Sequence, residues 1–179
     1  MTTFQTESCR GFFDHWNSLR KGESSIPLQS TFFDHPHPQY APHLHITEVS
    51  GPNMIIRLMG TELVEKWGVD KTGAVLGNDQ PPHIKKALFN NSFAAVSTPC
   101  GVQGLVKLEA NMGSRIEVES VGLPLSVGDG NPNRLVSFSQ TLRTLSYGEI
   151  PTNYVSFVDT KWVDIGFGVP HTKPDVIQD

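Results

Sequence analysis

Residues 106–142 read VKLEANMGSRIEVESVGLPLSVGDGNPNRLVSFSQTL, and this stretch decides the fold. Apolar and polar residues alternate along three of its segments, which are Val106–Ala110, Arg115–Leu125 and Arg134–Leu142. The intervening stretches, 111–114 and 128–133, are rich in Asn and Gly, as turns are. Such alternation is typical of antiparallel strands with one buried face. The stretch therefore predicts three strands joined by two turns.

A hairpin is predicted on the N-terminal side of this stretch. Leu44–Val49 and Met54–Met59 flank the turn-like sequence Ser50-Gly51-Pro52-Asn53. With the three later strands, the expected fold class is α+β, with a five-stranded antiparallel sheet, helices on one face and an N-terminal flanking helix.

Two helices are predicted between the hairpin and the three later strands. Thr61 can cap a short helix that ends at Gly68. Asp79 and the Pro81-Pro82 pair mark the start of a longer helix, which Pro99 closes.

The chain begins with a predicted helix over residues 6–21. Its apolar residues fall at helical spacing and form one stripe, so we expect the helix to pack on the outer surface of the sheet, at a dimer interface, or both. The members of the stripe are Cys9, Phe12, Phe13, Trp16 and Leu19.

The chain divides into three predicted parts. Residues 1–22 form a helical arm and residues 23–145 form the domain, which begins with a proline-rich irregular connector over 23–42. Residues 146–179 form an extension, and Trp162, Ile165 and Phe167 make it apolar enough to dock back on the domain.

Composition narrows the classes of partner. The 14 Lys and Arg residues against 18 Asp and Glu residues give a net charge of −4, which disfavours a nucleic-acid binder. The sequence shows no signal peptide and no apolar run that could span a bilayer. Cys9 and Cys100 lie far apart and form no CxxC motif, so we expect free thiols in a reducing cytoplasm.

Several motifs resemble those of a family of small bacterial PAS-like proteins. The segment 12–20, FFDHWNSLR, is similar to the family's Tyr-Trp-x-x-Leu-Arg opening, and 57–63, RLMGTEL, to its strand-to-helix junction. The segment 68–73, GVDKTG, resembles its Gly-x-Asp-x-Thr-Gly loop. LPL at 123–125 and DIGFG at 164–168 resemble later motifs of the family.

The resemblance implies the PAS fold, in which two strands, a helical segment and three strands surround a small pocket. It also implies a sensory or signalling module and says little about the ligand. Such a module binds a small molecule or a signalling protein, and its output passes through that partner or through self-association. We expect a homodimer with no catalysis of its own, and the sequence identifies no cofactor.

A pocket is predicted between the sheet and the two helices, with Gln140 at its polar end. Gln140 shares a strand face with Phe138, and its amide needs either a ligand or a backbone or water partner. The expected lining residues, each of which could equally be an ordinary core residue, are Trp67, Phe89, Phe93, Val118 and Phe138. A filled core that only binds a protein partner is the alternative.

A metal-dependent, cupin-like enzyme is the rival from a different class. His43 and His45 make a His-x-His pattern, and Glu48 follows, which are residue types that bind zinc, iron or manganese. On one strand, however, His43 and His45 would share a face while Glu48 points to the other. We therefore expect no intrinsic metal. Cys100 has no identifiable base and is expected to be a small buried residue.

Overall fold

The computed structural model describes residues 4–109, 115–128, 132–145 and 155–177. Its helices are α1 Glu7–Ser18, α2 Gln29–Asp34, a 3-10 turn at Ala41–His43, α3 Thr61–Trp67 and α4 Pro82–Ser97. Its strands are β1 Leu44–Ser50, β2 Asn53–Met59, β3 Gly101–Glu109, β4 Arg115–Leu125, β5 Arg134–Thr144 and β6 Val155–Val163.

All six strands belong to one antiparallel sheet with the order β2-β1-β5-β4-β3-β6. The α+β class and the first five strands are confirmed, but the predicted strand number of five is wrong. The sixth strand lies in the extension and pairs with β3. Its alternation is broken where the β3–β6 register shifts, and there Asp159 adopts a positive φ of 53°.

Most predicted element boundaries agree with the structure. The β1–β2 hairpin turns at Gly51, and Gly68 ends α3 with a φ of 73°. Thr61 is the first residue of α3 rather than its cap, because Gly60 occupies the N-cap position. The predicted turn at 111–114 and residues 129–131 of the other predicted turn lie outside the described residues.

Helix α1 covers the outer face of the sheet, which we define as the face that carries Val121 and Phe138. Phe12 stacks on Phe138 with ring centroids 5.2 Å apart, and both are fully buried. The indole Nε1 of Trp16 donates a hydrogen bond to the Pro124 carbonyl at 3.0 Å. Packing of the aromatic stripe on the outer surface of the sheet is therefore confirmed.

Helices α3 and α4 lie on the inner face, which carries Ser120 and Ser139. The chain after β6 returns to α4, where the Asn91 side chain exchanges two hydrogen bonds with the backbone of Asp175. Ile177 is buried there beside Ile84 and Ala87. Within the described ranges, the helices are too short or too polar to cross a membrane.

Candidate functional site

A cavity of about 220 Å³ lies between the inner face of the sheet, helices α3 and α4, and the loop that joins them. Its walls are mostly apolar. Trp67 and Leu63 come from α3, Leu88 comes from α4, and Val106 and Val118 come from the sheet. A mostly apolar cavity with a few polar groups is the usual composition of a small-molecule site.

The floor of this cavity is made of five small residues on three adjacent strands. In one row Gly104, Ser120 and Ser139 lie opposite one another across β3, β4 and β5. In the next row Gly122 lies opposite Ser137. Alternate residues of a strand point to the same face, so the two rows are neighbours on the inner face. Because these residues carry at most one heavy atom beyond Cβ, their side chains leave space between the sheet and the helices above it.

The two glycines of the floor lie too close to their neighbours to carry a side chain without a shift. A Cβ at Gly104 would be 2.9 Å from Oγ1 of Thr160 on β6. A Cβ at Gly122 would be 3.1 Å from Cγ1 of Val102 and 3.2 Å from the Ser137 hydroxyl. Packing within the sheet therefore favours glycine at these two positions of the cavity floor.

His45 stands at the edge of the floor, directly opposite Ser137. Burial lowers the pKa of its imidazole to about 4, so the ring is neutral near pH 7. A neutral imidazole carries one hydrogen-bond donor and one acceptor. His45 can therefore bind either kind of polar group on a ligand.

Charged side chains of α3 and of the loop after it form part of the cavity wall. The ammonium group of Lys71 pairs with the Asp79 carboxylate at 2.6 Å and lies 5.0 Å from the centroid of the Trp67 ring. Lys66 donates a hydrogen bond to Oγ1 of Thr141 at 3.2 Å. Its pKa is lowered by burial.

Two buried oxygen atoms at the cavity have no hydrogen-bond partner among the described residues. They are Oε1 of Gln80 and Oγ1 of Thr160, and both residues line the cavity. Buried polar atoms normally have a partner. A bound molecule with polar groups could supply one.

The structure places two of the six predicted ligand-binding residues in the cavity lining and four outside it. Trp67 and Val118 line the cavity. Phe89 and Phe93 stack on each other on α4 outside the lining, and Phe93 is 48% exposed.

The predicted placement of Phe138 and Gln140 in the pocket is wrong, because both residues lie on the outer face. Phe138 packs under α1, and Gln140 lies opposite Glu119, which holds the start of α1. The prediction grouped the right residues on one face of β5 but assigned that face to the wrong side of the sheet. Large side chains fill the tightly packed side, whereas a cavity needs small ones.

The proposed metal ligands are not brought together. His45 faces the cavity, while Glu48 lies on the opposite face of β1 and pairs with Arg134 and Arg57. His43 belongs to the 3-10 turn, with its ring 6.2 Å from that of Phe138, so it does not share a face with His45. In the part of the chain that the structure describes, no three His, Cys, Asp or Glu residues are placed to hold a metal ion.

Both cysteines are free and buried. Burial raises the pKa of Cys9 and of Cys100 to about 12, so both are thiols rather than thiolates at neutral pH. A thiol is a poor nucleophile.

The floor residues and Lys66 were missed by sequence reasoning, although the sequence carries a signal for the floor. Ser120 and Gly122 alternate with Val121 and Leu123, and Ser137 and Ser139 alternate with Val136 and Phe138. Regular alternation of small with large residues on adjacent strands indicates one packed face and one face with space. Nothing comparable in the sequence indicates Lys66.

Comparison of the chain with protein-family models, with curated proteins and with solved structures found no significant match. The resemblance of its motifs to a PAS-like family therefore stays a prediction.

Proposed function

We propose that this chain is a PAS-like sensory module that binds a small molecule in the cavity above the floor of Gly104, Ser120, Gly122, Ser137 and Ser139. The observation that carries the proposal is this floor, since its small residues leave space beneath two helices. The order of elements agrees with the PAS fold that the motifs imply, with a β1–β2 hairpin, a helical segment and strands β3–β5 around a cavity.

The size of the cavity limits the ligand. A cavity of about 150 Å³ with apolar walls holds one benzene molecule, and sites for drug-sized ligands begin at about 300 Å³. At about 220 Å³, this cavity suits a single ring or a short branched chain with a polar substituent. Polar groups of the lining, among them His45 and the three serine hydroxyls of the floor, can fix the orientation of such a molecule.

We propose that the module acts in the cytoplasm. It would transmit its signal either by forming a homodimer or by binding a signalling protein. We propose no catalysis by this chain. The protonated state of both buried thiols supports this, as does the separation of His45 from Glu48 across the sheet.

Filling the floor tests the proposal. Binding of benzoate, benzamide and benzylamine, which are one ring in three charge states, would be followed by NMR on the ¹⁵N-labelled protein. Ser120→Leu adds bulk where the cavity has space and should abolish binding while the protein stays folded. Ser30→Leu is the matched control, since Ser30 is exposed on α2. Binding that survives Ser120→Leu, or saturable binding of none of the three probes, would overturn the proposal.

A further inference from the structure

The charged groups of the cavity do not balance. Among the residues that the structure describes, three charged side chains line it, namely the ammonium groups of Lys66 and Lys71 and the carboxylate of Asp79. Lys71 and Asp79 neutralise each other at 2.6 Å. His45 adds no charge near neutral pH, because burial holds its pKa at about 4. The lining therefore carries one excess positive charge, and it belongs to Lys66.

No carboxylate of the described chain forms an ion pair with Lys66. Its ammonium group donates a hydrogen bond to the neutral hydroxyl of Thr141 at 3.2 Å. Glu62, one turn earlier on α3, is exposed and acts on Lys66 only at longer range. Burial disfavours the charged form of the amine and lowers the pKa of Lys66, although the negative charge of Glu62 acts in the opposite direction. An anion bound at this position would remove that cost.

Lys66 also lies at one end of the cavity. Thr141 is opposite Val118, which is opposite Val106, so the Lys66–Thr141 contact sits one row beyond Ser120 and Ser139. His45 is opposite Ser137, four residues from Thr141 along β5, which corresponds to about 13 Å of strand. The cavity thus has a cationic end, a middle lined by small and apolar residues, and a neutral polar end.

We propose that the ligand is a small apolar monocarboxylate whose carboxylate binds the Lys66 ammonium and the Thr141 hydroxyl, with its ring or branched chain over the floor. This rests on the proposed function of the cavity. An ammonium group donates up to three hydrogen bonds, and a carboxylate accepts them more strongly than a neutral group does. Neutral molecules of the same shape should bind more weakly, and cations should not bind.

The experiment measures the dissociation constants of benzoate and benzamide, which share a shape and differ in charge. The wild type should bind benzoate at least about tenfold more tightly than benzamide. Lys66→Met keeps the length of the side chain and should remove this preference, whereas Lys66→Arg should retain most of it. Lys86→Met is the matched control on the exposed side of α4 and should change neither constant. Amide spectra of each variant establish that it is folded.

The pH dependence of benzoate affinity is a second test, because a purely structural role of Lys66 would not produce it. Benzoate affinity should fall as the pH rises through the lowered pKa of Lys66, while benzamide affinity stays constant. Equal affinities for the two probes, binding of neither, or a preference for benzoate that survives Lys66→Met would overturn the proposed ligand class. If neutral rings bind and Ser120→Leu abolishes their binding, the proposed function of the cavity still stands. If Ser120→Leu affects no probe, that function fails as well.

Discussion

The hydroxyl oxygens of Ser120 and Ser139 lie 3.1 Å apart, on residues directly opposite each other in strands β4 and β5. Cross-strand positions at the centre of a sheet are normally filled by side chains that pack against the layer above. Here the Ser139 hydroxyl donates a hydrogen bond to the Ser120 hydroxyl, and the two small side chains leave the volume above them free. This pair sits at the centre of the floor and is the reason that the cavity exists.

Neighbouring residues of β5 should respond in opposite ways to the same substitution. Ser139→Leu places bulk in the cavity and should abolish binding of the small-ring probes. Gln140→Leu, one residue later, changes the outer face and should leave the affinity unchanged, with a stability change within about 0.5 kcal/mol since Gln140 is partly exposed. Titrations on the two variants check this. Loss of binding in Gln140→Leu alone would show that the faces of β5 are assigned wrongly.

Trp16 should be among the residues that contribute most to stability. It is fully buried between α1 and the sheet and donates a hydrogen bond to the Pro124 carbonyl. Trp16→Ala should lower the free energy of unfolding by about 3–5 kcal/mol, as measured by urea denaturation. Phe33→Ala, at a position that is 40% exposed, is the control and should cost less than about 1 kcal/mol. Similar losses for the two variants would mean that α1 is not docked on the sheet.

Glu119 should hold the start of α1 on the sheet through its ionised form. It is fully buried and accepts hydrogen bonds from the backbone of Gln5 and Thr6, the Thr6 hydroxyl and the Gln103 amide. Burial raises the pKa of this carboxyl, but these hydrogen bonds lower it by more. Glu119→Gln replaces an acceptor with a donor and should cost about 2–3 kcal/mol.

The pH dependence of this loss has a definite sign. A carboxyl with a lowered folded-state pKa stabilises the protein above the ordinary Glu pKa, and that contribution disappears as the pH falls through the folded-state value. The difference in unfolding free energy between the wild type and Glu119→Gln should therefore shrink in acid. Glu62→Gln, on the exposed side of α3, serves as the control. A difference that grows as the pH falls would contradict the role of the ionised carboxylate.

His45 should destabilise the protein as the pH falls from 6.5 towards 4. Its pKa is lowered by burial from 6.5 to about 4, so the unfolded chain takes up a proton in this range before the folded protein does. Stability is therefore full above pH 6.5 and declines below it. In His45→Gln the decline over this range should be smaller, as measured by urea denaturation at several pH values. An NMR titration that places the pKa of His45 near 6.5 would refute the buried, neutral imidazole.

The elements that could be predicted from the sequence are those that local patterns determine. The alternation in β4 and β5, the turn at Gly51 and the glycine after α3 each act over a few residues, and each is where the pattern placed it. Strand β6 could not be predicted in this way. Its alternation breaks at Asp159, and only its long-range pairing with β3 makes it a strand.

The site could be predicted only in part. Alternation shows which residues share a face of a strand, but both faces of β5 carry buried apolar residues, such as Leu135 and Val136. The aromatic residue Phe138 suggested the pocket side, and it belongs to the packed side under α1. Lys66 could not be recognised at all, because its place in the cavity lining, without an ion pair to any described residue, arises only in the assembled fold.

The most direct measurement locates bound probe by methyl NMR on protein labelled at Ile, Leu and Val. Benzoate, benzamide and benzylamine would each be titrated into it. A ligand site in this cavity predicts saturable shifts, with at least one probe, at the methyl groups of the lining residues Ile56, Leu63, Val106 and Val118. It predicts little change at the outer-face methyl groups of Ile46, Leu123, Leu125 and Val136. Saturable shifts centred on the outer set, or none on the inner set with any probe, would contradict the claim that this cavity is the ligand site.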